Sequence, residues 1–407
     1  MVMSAMIFSR HCRKRLAVLI THPVQYFQPV FEALANDPSL DLLVVFGCDH
    51  GVRVSHDPDF GIDFAWDSAL TDGFPHVFSS ELPLSALSRP STAWSCAKRS
   101  CQLIHNFKPD RVLIFAYTPI FITITTLLLR QSGVRLMLRA DGTDRAFFRS
   151  FFKNYLKDIL LSFWYRQFDV VFPIGSDSND HFSRLGVPSH RRYPVSYAVD
   201  TTFFADQVRQ WAPHRVMLRR EFGIGPTDLV LLWSAKMTEV KNPLLLIEAL
   251  NELPESLRRR FWLIAMGDGP LRSCFESNAR SILKERCRFL GFRNQCELGE
   301  GYTIGDVLVF PSSQGETWGL VVNEALQFGL AVLASDHPGC VRDLLLNRDD
   351  LPAGSSVFPS GDAAALASAM RNLAIRYPAG FVKAPLTSLP KPEDLAQAVV
   401  AALHQSK

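Results

Sequence analysis

The sequence predicts an α/β protein of two doubly wound halves, each a parallel sheet covered by helices on both faces. Short apolar runs bounded by turn residues alternate with helical stretches, as is typical of strands buried on both faces of a sheet. The same alternation starts again at Leu229–Ser234, after a polar and aromatic stretch without clean periodicity between Asp200 and Arg220. At 407 residues, the chain has the length of two or three domains.

Each half supplies five predicted strands and several helices. The strands are predicted at Leu16–Ile20, Leu40–Phe46, Val112–Ala116, Val134–Arg139, Val170–Ile174, Leu229–Ser234, Phe261–Met266, Cys287–Leu290, Val307–Phe310 and Ala331–Ala334. The helices are predicted at Phe27–Asn36, Trp94–Phe107, Ile120–Arg130, Pro243–Asn251, Pro270–Glu285, Leu320–Phe328 and Glu393–His404. The uncharged stretch Val112–Leu129 contains Pro119, which favours a strand and a helix over a membrane span of ~20 apolar residues.

We divide the chain into four parts: a basic extension over residues 1–14, a first domain over 15–205, a second domain over 206–390 and a C-terminal helix over 391–407. Two doubly wound domains that face each other leave a cleft at the carboxyl ends of their strands. Open α/β sheets bind ligands at those ends. We therefore expect the functional site in the cleft.

Composition excludes several classes of protein. Hydrophobic residues make up 47% and charged residues 20%, which excludes a disordered or coiled-coil chain. A net charge of +3 does not support a nucleic-acid binder. The eight cysteines form no C-x-x-C pair and no zinc-ligand spacing, so we interpret them as buried, reduced thiols of a cytoplasmic protein.

The most informative segment runs from Pro311 to Gly329 and contains Glu316 and Glu324. It follows a predicted strand, passes through a glycine-containing loop and opens a helix near Gly319. Free backbone N–H groups at such a helix start favour an anion. Carboxylates instead suit hydroxyl groups, for example those of a sugar and a ribose. The alternative is that Glu316 caps the helix and Glu324 is a solvated helix residue.

Two lysines, Lys236 and Lys241, lie between the end of the predicted strand Leu229–Ser234 and the start of the next helix. Two cations at that edge would hold a diphosphate and stabilise it as a leaving group. Considered singly, each is more commonly a surface lysine of a loop.

Together these motifs resemble those of the retaining, nucleotide-sugar-dependent glycosyltransferases of the GT-B fold, family 4 (glycosyltransferase group 1). That family includes many bacterial polysaccharide and lipid glycosyltransferases. Glu316 and Glu324 match its E-x7-E motif, Gly267 begins a G-x-G-P turn, and Phe292 ends the stretch near the nucleobase. The resemblance implies a catalytic role for Glu316 and donor binding by Lys236, Lys241, Gly267, Phe292, Thr317, Trp318, Gly319, Leu320 and Glu324.

The chain departs from the family pattern at three places. Lys236 replaces the usual arginine, so a point charge replaces a bidentate fork at the diphosphate. Asn242 replaces a glycine. The region Arg139–Thr143 lacks the histidine that the family often has near the sugar. In that region we take Asp141 as the candidate catalytic residue, and the alternative is that it makes a turn with Gly142.

Three further candidates follow the first predicted strand, where such sheets commonly place a ligand loop. His22, Gln25 and Tyr26 would contact the acceptor or the donor. The alternative is that they are ordinary polar loop residues.

We expect no catalytic metal and no other cofactor. Asp57 and Asp59 could together hold a divalent cation, but they lie in a loop with Pro and Gly rather than at the end of an apolar strand. Lys236 and Lys241 already supply positive charge for a diphosphate.

The predicted reaction transfers a sugar from a nucleoside-diphosphate sugar to an acceptor hydroxyl, on a saccharide or a lipid-linked saccharide. The resemblance implies retention of the anomeric configuration, with a phosphate oxygen of the leaving group as base. One alternative is a nucleotide-sugar epimerase on the same fold, which the E-x7-E spacing argues against. Another is a non-catalytic subunit of a membrane assembly, which the presence of both glutamates and both lysines argues against.

The segment Arg145–Phe168 raises the question of a membrane. It contains five basic residues and one acid, Asp158, interleaved with six Phe, one Trp and two Tyr. Such a helix could lie on an anionic membrane surface, which would place the protein on the inner face of the plasma membrane. The alternative is a helix with its aromatic face in the core and its basic face in solvent.

Overall fold

Two parallel six-stranded sheets form the framework of the protein in a computed structural model, which describes residues 13–57, 62–145, 151–346, 348–386 and 388–405. The strands of the first half are β1 (Lys14–Ile20), β2 (Leu40–Phe46), β3 (Ser55–Asp57), β4 (Ile62–Phe64), β5 (His76–Phe78), β6 (Arg111–Phe115), β7 (Leu136–Ala140) and β8 (Val170–Pro173). Those of the second half are β9 (Leu229–Ser234), β10 (Phe261–Met266), β11 (Cys287–Gly291), β12 (Val307–Phe310), β13 (Ala331–Ser335) and β14 (Ser356–Phe358).

The two sheets have the same doubly wound order. The first sheet runs β5-β2-β1-β6-β7-β8 and the second β11-β10-β9-β12-β13-β14, while β3 and β4 form a separate antiparallel hairpin. In each sheet the strand order reverses beside the first strand, β1 or β9, which is where open α/β sheets place a ligand. The predicted fold class is therefore confirmed.

Helices cover both faces of each sheet. In chain order they are α1 (Gln28–Ala35), α2 (Pro90–Phe107), α3 (Ile120–Gln131), α4 (Phe151–Tyr165), α5 (Gly175–Arg184), α6 (Thr201–Trp211), α7 (Arg215–Glu221), α8 (Pro243–Glu252), α9 (Glu255–Arg258), α10 (Arg272–Leu283), α11 (Leu298–Ile304), α12 (Leu320–Gln327), α13 (Ala363–Arg376) and α14 (Pro392–His404). The uncharged stretch discussed above is β6 followed by α3. Within the described ranges, no helix has the length and apolarity that crossing a bilayer requires.

Some residues just before the predicted boundary at residue 205 pack with the second domain. Val199 and Phe204 already pack in the core of the second domain. Asp200 caps α6 by accepting hydrogen bonds from the backbone N–H of Thr202 at 3.0 Å and of Phe203 at 2.9 Å. The stretch without clean periodicity is thus α6 and α7, whose buried Phe204 and Leu218 pack in the core of the second domain while Val216 and Met217 are exposed.

The C-terminal helix α14 returns to the first domain. Leu395, Val399 and Leu403 are buried there together with apolar residues of α1 and β1. The first domain therefore contains both ends of the described chain, and the second domain is an insertion between α5 and α14.

The cysteines only partly match the prediction that they are buried thiols. Those that the structure describes are free; Cys48, Cys96, Cys101, Cys287 and Cys340 are buried, whereas Cys274 and Cys296 are exposed.

If α14 stabilises the first domain, Leu395→Ala will destabilise that domain. The Leu395 side chain is 3% exposed, and removing a buried leucine costs about 2–5 kcal/mol. We expect faster amide hydrogen exchange in α1, with little change in the helices of the second domain. Leu346→Ala, at a side chain that is 60% exposed, is the control. Unchanged exchange in α1 would contradict this role of α14.

Candidate active site

A pocket of about 190 Å³ opens between the facing carboxyl edges of the two sheets. The first domain contributes Gln25 and Trp66. The second domain contributes Ser234, Ala235, Lys236, Met266, Gly267, Phe292, Arg293, Gln295, Leu298, Val321 and Glu324. Five of the predicted site residues therefore line one pocket, namely Gln25, Lys236, Gly267, Phe292 and Glu324.

The floor of this pocket depends on a close contact between two loops. Gly267 has a φ of +120°, and a Cβ atom there would lie 2.1 Å from the carbonyl oxygen of Ala235. Hydrogen bonds join the same loops, from Met237 N to Asp268 O at 2.8 Å and from Leu271 N to Met237 O at 2.9 Å. Glycine is needed at 267 because this backbone conformation and this spacing leave no room for a side chain. The contact fixes the position of Lys236 at the end of β9.

The two candidate lysines differ in their surroundings. Lys236 lines the pocket, whereas the Lys241 ammonium donates to a carboxylate oxygen of Glu316 and lies 5.7 Å from the centre of the Phe310 ring. Ser312 Oγ also lies 3.4 Å from Glu316 Oε2. Lys241 was predicted to contact the diphosphate of a donor and Glu316 its sugar, but in this structure the two side chains form an ion pair with each other.

Glu324 is held by a tyrosine. The Tyr302 hydroxyl of α11 donates to Glu324 Oε2 and lies 3.4 Å from Ser234 Oγ. Burial raises the pKa of the Glu324 carboxyl, and the hydrogen bond from Tyr302 opposes that rise. Glu324 is therefore a positioned acceptor at the pocket wall rather than a solvated helix residue.

The segment Thr317–Leu320 supports the pocket from behind. Gly319, at the start of α12, has a φ of +104°, and a Cβ atom there would lie 2.5 Å from the Phe310 ring. The Trp318 side chain is 2% exposed, and its Nε1 donates to Asn323 Oδ1 at 3.0 Å. Its ring lies 6.0 Å from that of Tyr197, so Trp318 packs at the junction of the domains. Burial leaves the Trp318 side chain no access to a donor, whereas Thr317 and Leu320 are partly exposed.

The first-domain candidates lie at the opposite edge of the cleft. His22 follows β1, where its Nδ1 lies 2.9 Å from Thr21 Oγ1 and its ring 5.2 Å from that of His50. Burial and the nearby His50 lower the pKa of His22 to about 4, so its imidazole is neutral at pH 7. The Gln25 carboxamide oxygen is buried and has no hydrogen-bond partner, although Gln25 lines the pocket.

Asp141 and Tyr26 are electrostatically coupled. Burial, and then the negative charge of Asp141, raise the pKa of Tyr26 to about 12. Asp141 follows β7 directly, and the Tyr26 ring lies 5.7 Å from that of Tyr197. Asp141 thus faces the same part of the first domain as the loop after β1. Of the candidate metal pair, Asp59 and the side chain of Asp57 lie outside the described part of the chain.

Two sets of contacts, which the sequence did not predict, join the domains on either side of the pocket. In the first, Asn294 Nδ2 donates to Ala65 O at 2.8 Å, and Cys296 N donates to Asp67 Oδ2 at 3.1 Å. In the second, Ser176 at the start of α5 donates to Asp343 through its backbone N at 3.0 Å and its Oγ at 2.7 Å. Gln295, whose carboxamide oxygen is also buried without a partner, lies beside the first contact.

The fold that these two sheets define is GT-B. The solved structure of Anabaena Alr3699/HepE in complex with UDP and glucose matches with a TM-score of 0.65 at 16% identity, over 96% of this chain and 99% of that one. A UDP-GlcNAc 2-epimerase from Neisseria meningitidis, bound to UDP-GlcNAc, matches with a TM-score of 0.59 at 12% identity, over 96% of this chain and 99% of that one. At these identities the likeness shows the fold alone.

Residues 216–376, in the second domain, match the model of the family of glycosyl transferases group 1. The sulfoquinovosyl transferase SQD2 of Arabidopsis thaliana is 32% identical over 303 residues, which cover 74% of this chain and 55% of that protein. The chain spans about a third to about half the length of the curated relatives it matches.

The hydrogen bond between Tyr302 and Glu324 predicts that Tyr302→Phe will change how donor affinity depends on pH. If the ionised Glu324 carboxylate accepts a hydrogen bond from a donor hydroxyl, affinity falls as the pH drops towards its raised pKa. Loss of the Tyr302 hydroxyl removes the interaction that lowers this pKa, so we expect the loss of affinity to begin at a higher pH. Titration of nucleoside diphosphate-sugar affinity against pH measures this.

The control for this measurement is Tyr377→Phe, which removes a hydroxyl that donates to Ala353 O at 2.6 Å elsewhere in the same domain. Superimposable pH profiles for wild type and Tyr302→Phe would contradict the assignment of Glu324.

Proposed function

We propose that the protein is a retaining glycosyltransferase that moves a sugar from a nucleoside-diphosphate sugar to an acceptor hydroxyl of a saccharide or lipid-linked saccharide. The observation that carries the proposal is the convergence of Lys236, Gly267, Phe292 and Glu324 on one pocket between two domains. The match of residues 216–376 to glycosyl transferases group 1 supports the same reaction class.

The residues of the pocket divide between the parts of such a donor. Phe292 offers a ring to the nucleobase, and the Glu324 carboxylate accepts hydrogen bonds from the ribose. Lys236 meets the diphosphate as a point charge. Glu316 contacts the sugar hydroxyls once the diphosphate has drawn Lys241 away from it. The ion pair between Lys241 and Glu316 thus keeps two functional groups in place until the donor arrives.

The reaction then needs no dedicated protein base. The bond between the anomeric carbon and the diphosphate oxygen breaks, and its electron pair stays on the diphosphate, where Lys236 and Lys241 stabilise the charge. The acceptor oxygen bonds to the anomeric carbon and gives its proton to a phosphate oxygen of the leaving group. Asp141, at the opposite edge of the cleft, orients the acceptor.

A turnover screen with UDP-, GDP-, dTDP- and ADP-sugars, without added acceptor, tests this proposal. Slow release of nucleoside diphosphate and free sugar from one donor, with retained anomeric configuration, would support it. Conversion of the donor to its epimer would instead support the epimerase, which shares the fold. Failure to bind any donor in thermal-shift measurements would support a non-catalytic subunit.

We expect Glu324→Ala to lower donor affinity without unfolding the protein. A hydrogen bond to a charged group contributes about 1.5–3 kcal/mol, so the dissociation constant should rise by ~10- to 150-fold. Isothermal titration with the best donor from the screen measures this. Glu248→Ala, at an exposed carboxylate on α8, is the control. A donor affinity equal to that of wild type would remove Glu324 from the site.

We also expect turnover to survive an excess of EDTA, because Lys236, Lys241 and the N-terminus of α12 supply the positive potential for the diphosphate. Initial rates before and after chelation test this. If activity disappears and returns with Mg²⁺ or Mn²⁺, a metal is required and the loop that contains Asp57 and Asp59 becomes the place to seek its ligands.

A further inference from the structure

Helix α4 exposes a continuous row of large apolar side chains, which we name the α4 stripe. Its members are Phe152, Tyr155, Leu156, Ile159, Leu160 and Phe163, with exposed fractions of 82%, 62%, 60%, 37%, 62% and 59%. Each member has another member three or four residues away, so all six side chains share one face of the helix. Single exposed apolar residues are common on protein surfaces, but a contiguous row of this length marks an interaction site.

The opposite face of the same helix is fixed to the first domain. Leu161 and Tyr165 are 7% and 1% exposed and pack in the core with Phe168 of the following turn. The apolar residues of this segment thus divide into two sets, one for the core and one for the surface. The α4 stripe cannot turn inward without removing the buried set from the core.

The sequence of the segment that contains the α4 stripe has an excess of positive charge. The segment Arg145–Phe168 has five basic residues, and its one acid, Asp158, accepts hydrogen bonds from Arg184 at 2.5 and 3.1 Å. The Arg166 guanidinium lies 5.1 Å from the centre of the Phe163 ring, so a cation sits at the end of the apolar row. An apolar row flanked by cations fits the boundary between acyl chains and anionic headgroups.

We propose that the α4 stripe inserts into the surface of an anionic lipid bilayer. A second copy of the chain is a poorer occupant, because a symmetric contact through this face would bring like charges together. The helix lies flat on the membrane with its buried face on the domain, so the protein is attached to one leaflet and does not cross it.

This attachment also specifies the acceptor class, a step that rests on the proposed function. Two residues that precede α4 in the chain lie at the cleft: Asp141 follows β7, and Arg145 Nη2 donates to Asp336 O of the second domain at 2.6 Å. A bilayer against the α4 stripe therefore lies near the acceptor side of the cleft. The acceptor that this arrangement favours is a saccharide on a membrane lipid.

The test is cosedimentation of the full-length protein with vesicles of phosphatidylcholine, with and without about 30% phosphatidylglycerol. We expect binding to the anionic vesicles, weaker binding to the neutral ones, and weakening as the salt concentration rises. In the triple variant Leu156→Gln, Leu160→Gln, Phe163→Gln, the lipid concentration for half-maximal binding should rise by at least about tenfold.

The matched control replaces three apolar residues of the second domain that are somewhat more exposed, Val216→Gln, Ile375→Gln and Val382→Gln, whose side chains are 72%, 67% and 77% exposed. It should bind vesicles as wild type does. Equal melting temperatures of the two triple variants exclude unfolding as the cause of a loss.

Three results would overturn the proposal: a wild type that does not sediment with anionic vesicles, an α4 triple variant that binds as wild type does, or a control variant that loses binding equally. A concentration-dependent dimer that the α4 substitutions dissociate, without vesicle binding, would assign the α4 stripe to self-association instead. Release of nucleoside diphosphate from a water-soluble donor does not need the bilayer. If neither the wild type nor any variant releases nucleoside diphosphate, the proposed function is contradicted, whereas the proposed membrane contact is not affected.

Discussion

The pocket depends on the contacts that keep the carboxyl edges of the two sheets opposite each other, because its lining comes from both domains. On one side, Asn294 and the backbone of Cys296 hold the loop Ala65–Asp67. On the other, Asp343 of the second domain satisfies the free N–H at the start of α5. A helix start has unpaired donors and a positive potential, so a carboxylate is a favourable partner there. Separation of the domains would therefore both expose the unpaired N–H groups at the start of α5 and open the pocket.

The second of these contacts also explains a glycine. Gly175 precedes Ser176 and has a φ of +71°, and a Cβ atom there would lie 2.5 Å from the Trp318 ring and 2.7 Å from Asp343. The first domain can therefore approach the second this closely only because the side chain is absent. Buried Trp318 thus takes part in the domain junction as well as in the loop before α12, and the spacing of the domains is coupled to the loop that begins the E-x7-E motif.

The two glutamates of the E-x7-E motif already have partners within the protein. Glu316 accepts from Lys241, and Glu324 accepts from Tyr302, while His22 is kept neutral by burial. Charges in a poorly solvated pocket are costly unless they are paired or hydrogen-bonded. In the proposed reaction, donor groups replace these internal partners, so recognition becomes an exchange of hydrogen bonds rather than the burial of bare charges.

The sequence predicted the strands best where burial on both faces leaves a clean apolar run. β2, β9, β10 and β12 have the predicted bounds, whereas the three-residue edge strands β5 and β14 were missed because they are too short to form a pattern. Helix α5 was missed because its residues, Gly175–Arg184, are almost all polar. Its position is set by the contact with Asp343, which tertiary structure supplies and periodicity does not reveal.

The same distinction applies to the site. The two glutamates were predictable because a strand, a glycine-containing loop and a helix start follow one another within a few residues, and Gly267 was predicted through its resemblance to the G-x-G-P turn of the family. Tyr302 was not predictable, since it acts on Glu324 from 22 residues away, and neither was the contact of Asp67 with Asn294 across 227 residues. Pairings of this kind become visible only when the sheets are folded, because no local spacing records them.

The segment after β7 shows why composition alone could not decide between the two interpretations of its aromatic residues. The register of α4 assigns Tyr165 to the core and Phe163 to the surface, so the core interpretation holds for one face of the helix and the membrane interpretation stays a proposal for the other. The register is in turn set by Asp158, whose carboxylate binds Arg184 of α5, and by the buried Tyr165 hydroxyl, which lies 3.2 Å from His181 Nε2. Since α5 also receives Asp343 from the second domain, the helix that orients the exposed row is the one that holds the cleft together. The orientation of the α4 stripe and the geometry of the pocket therefore rest on the same helix.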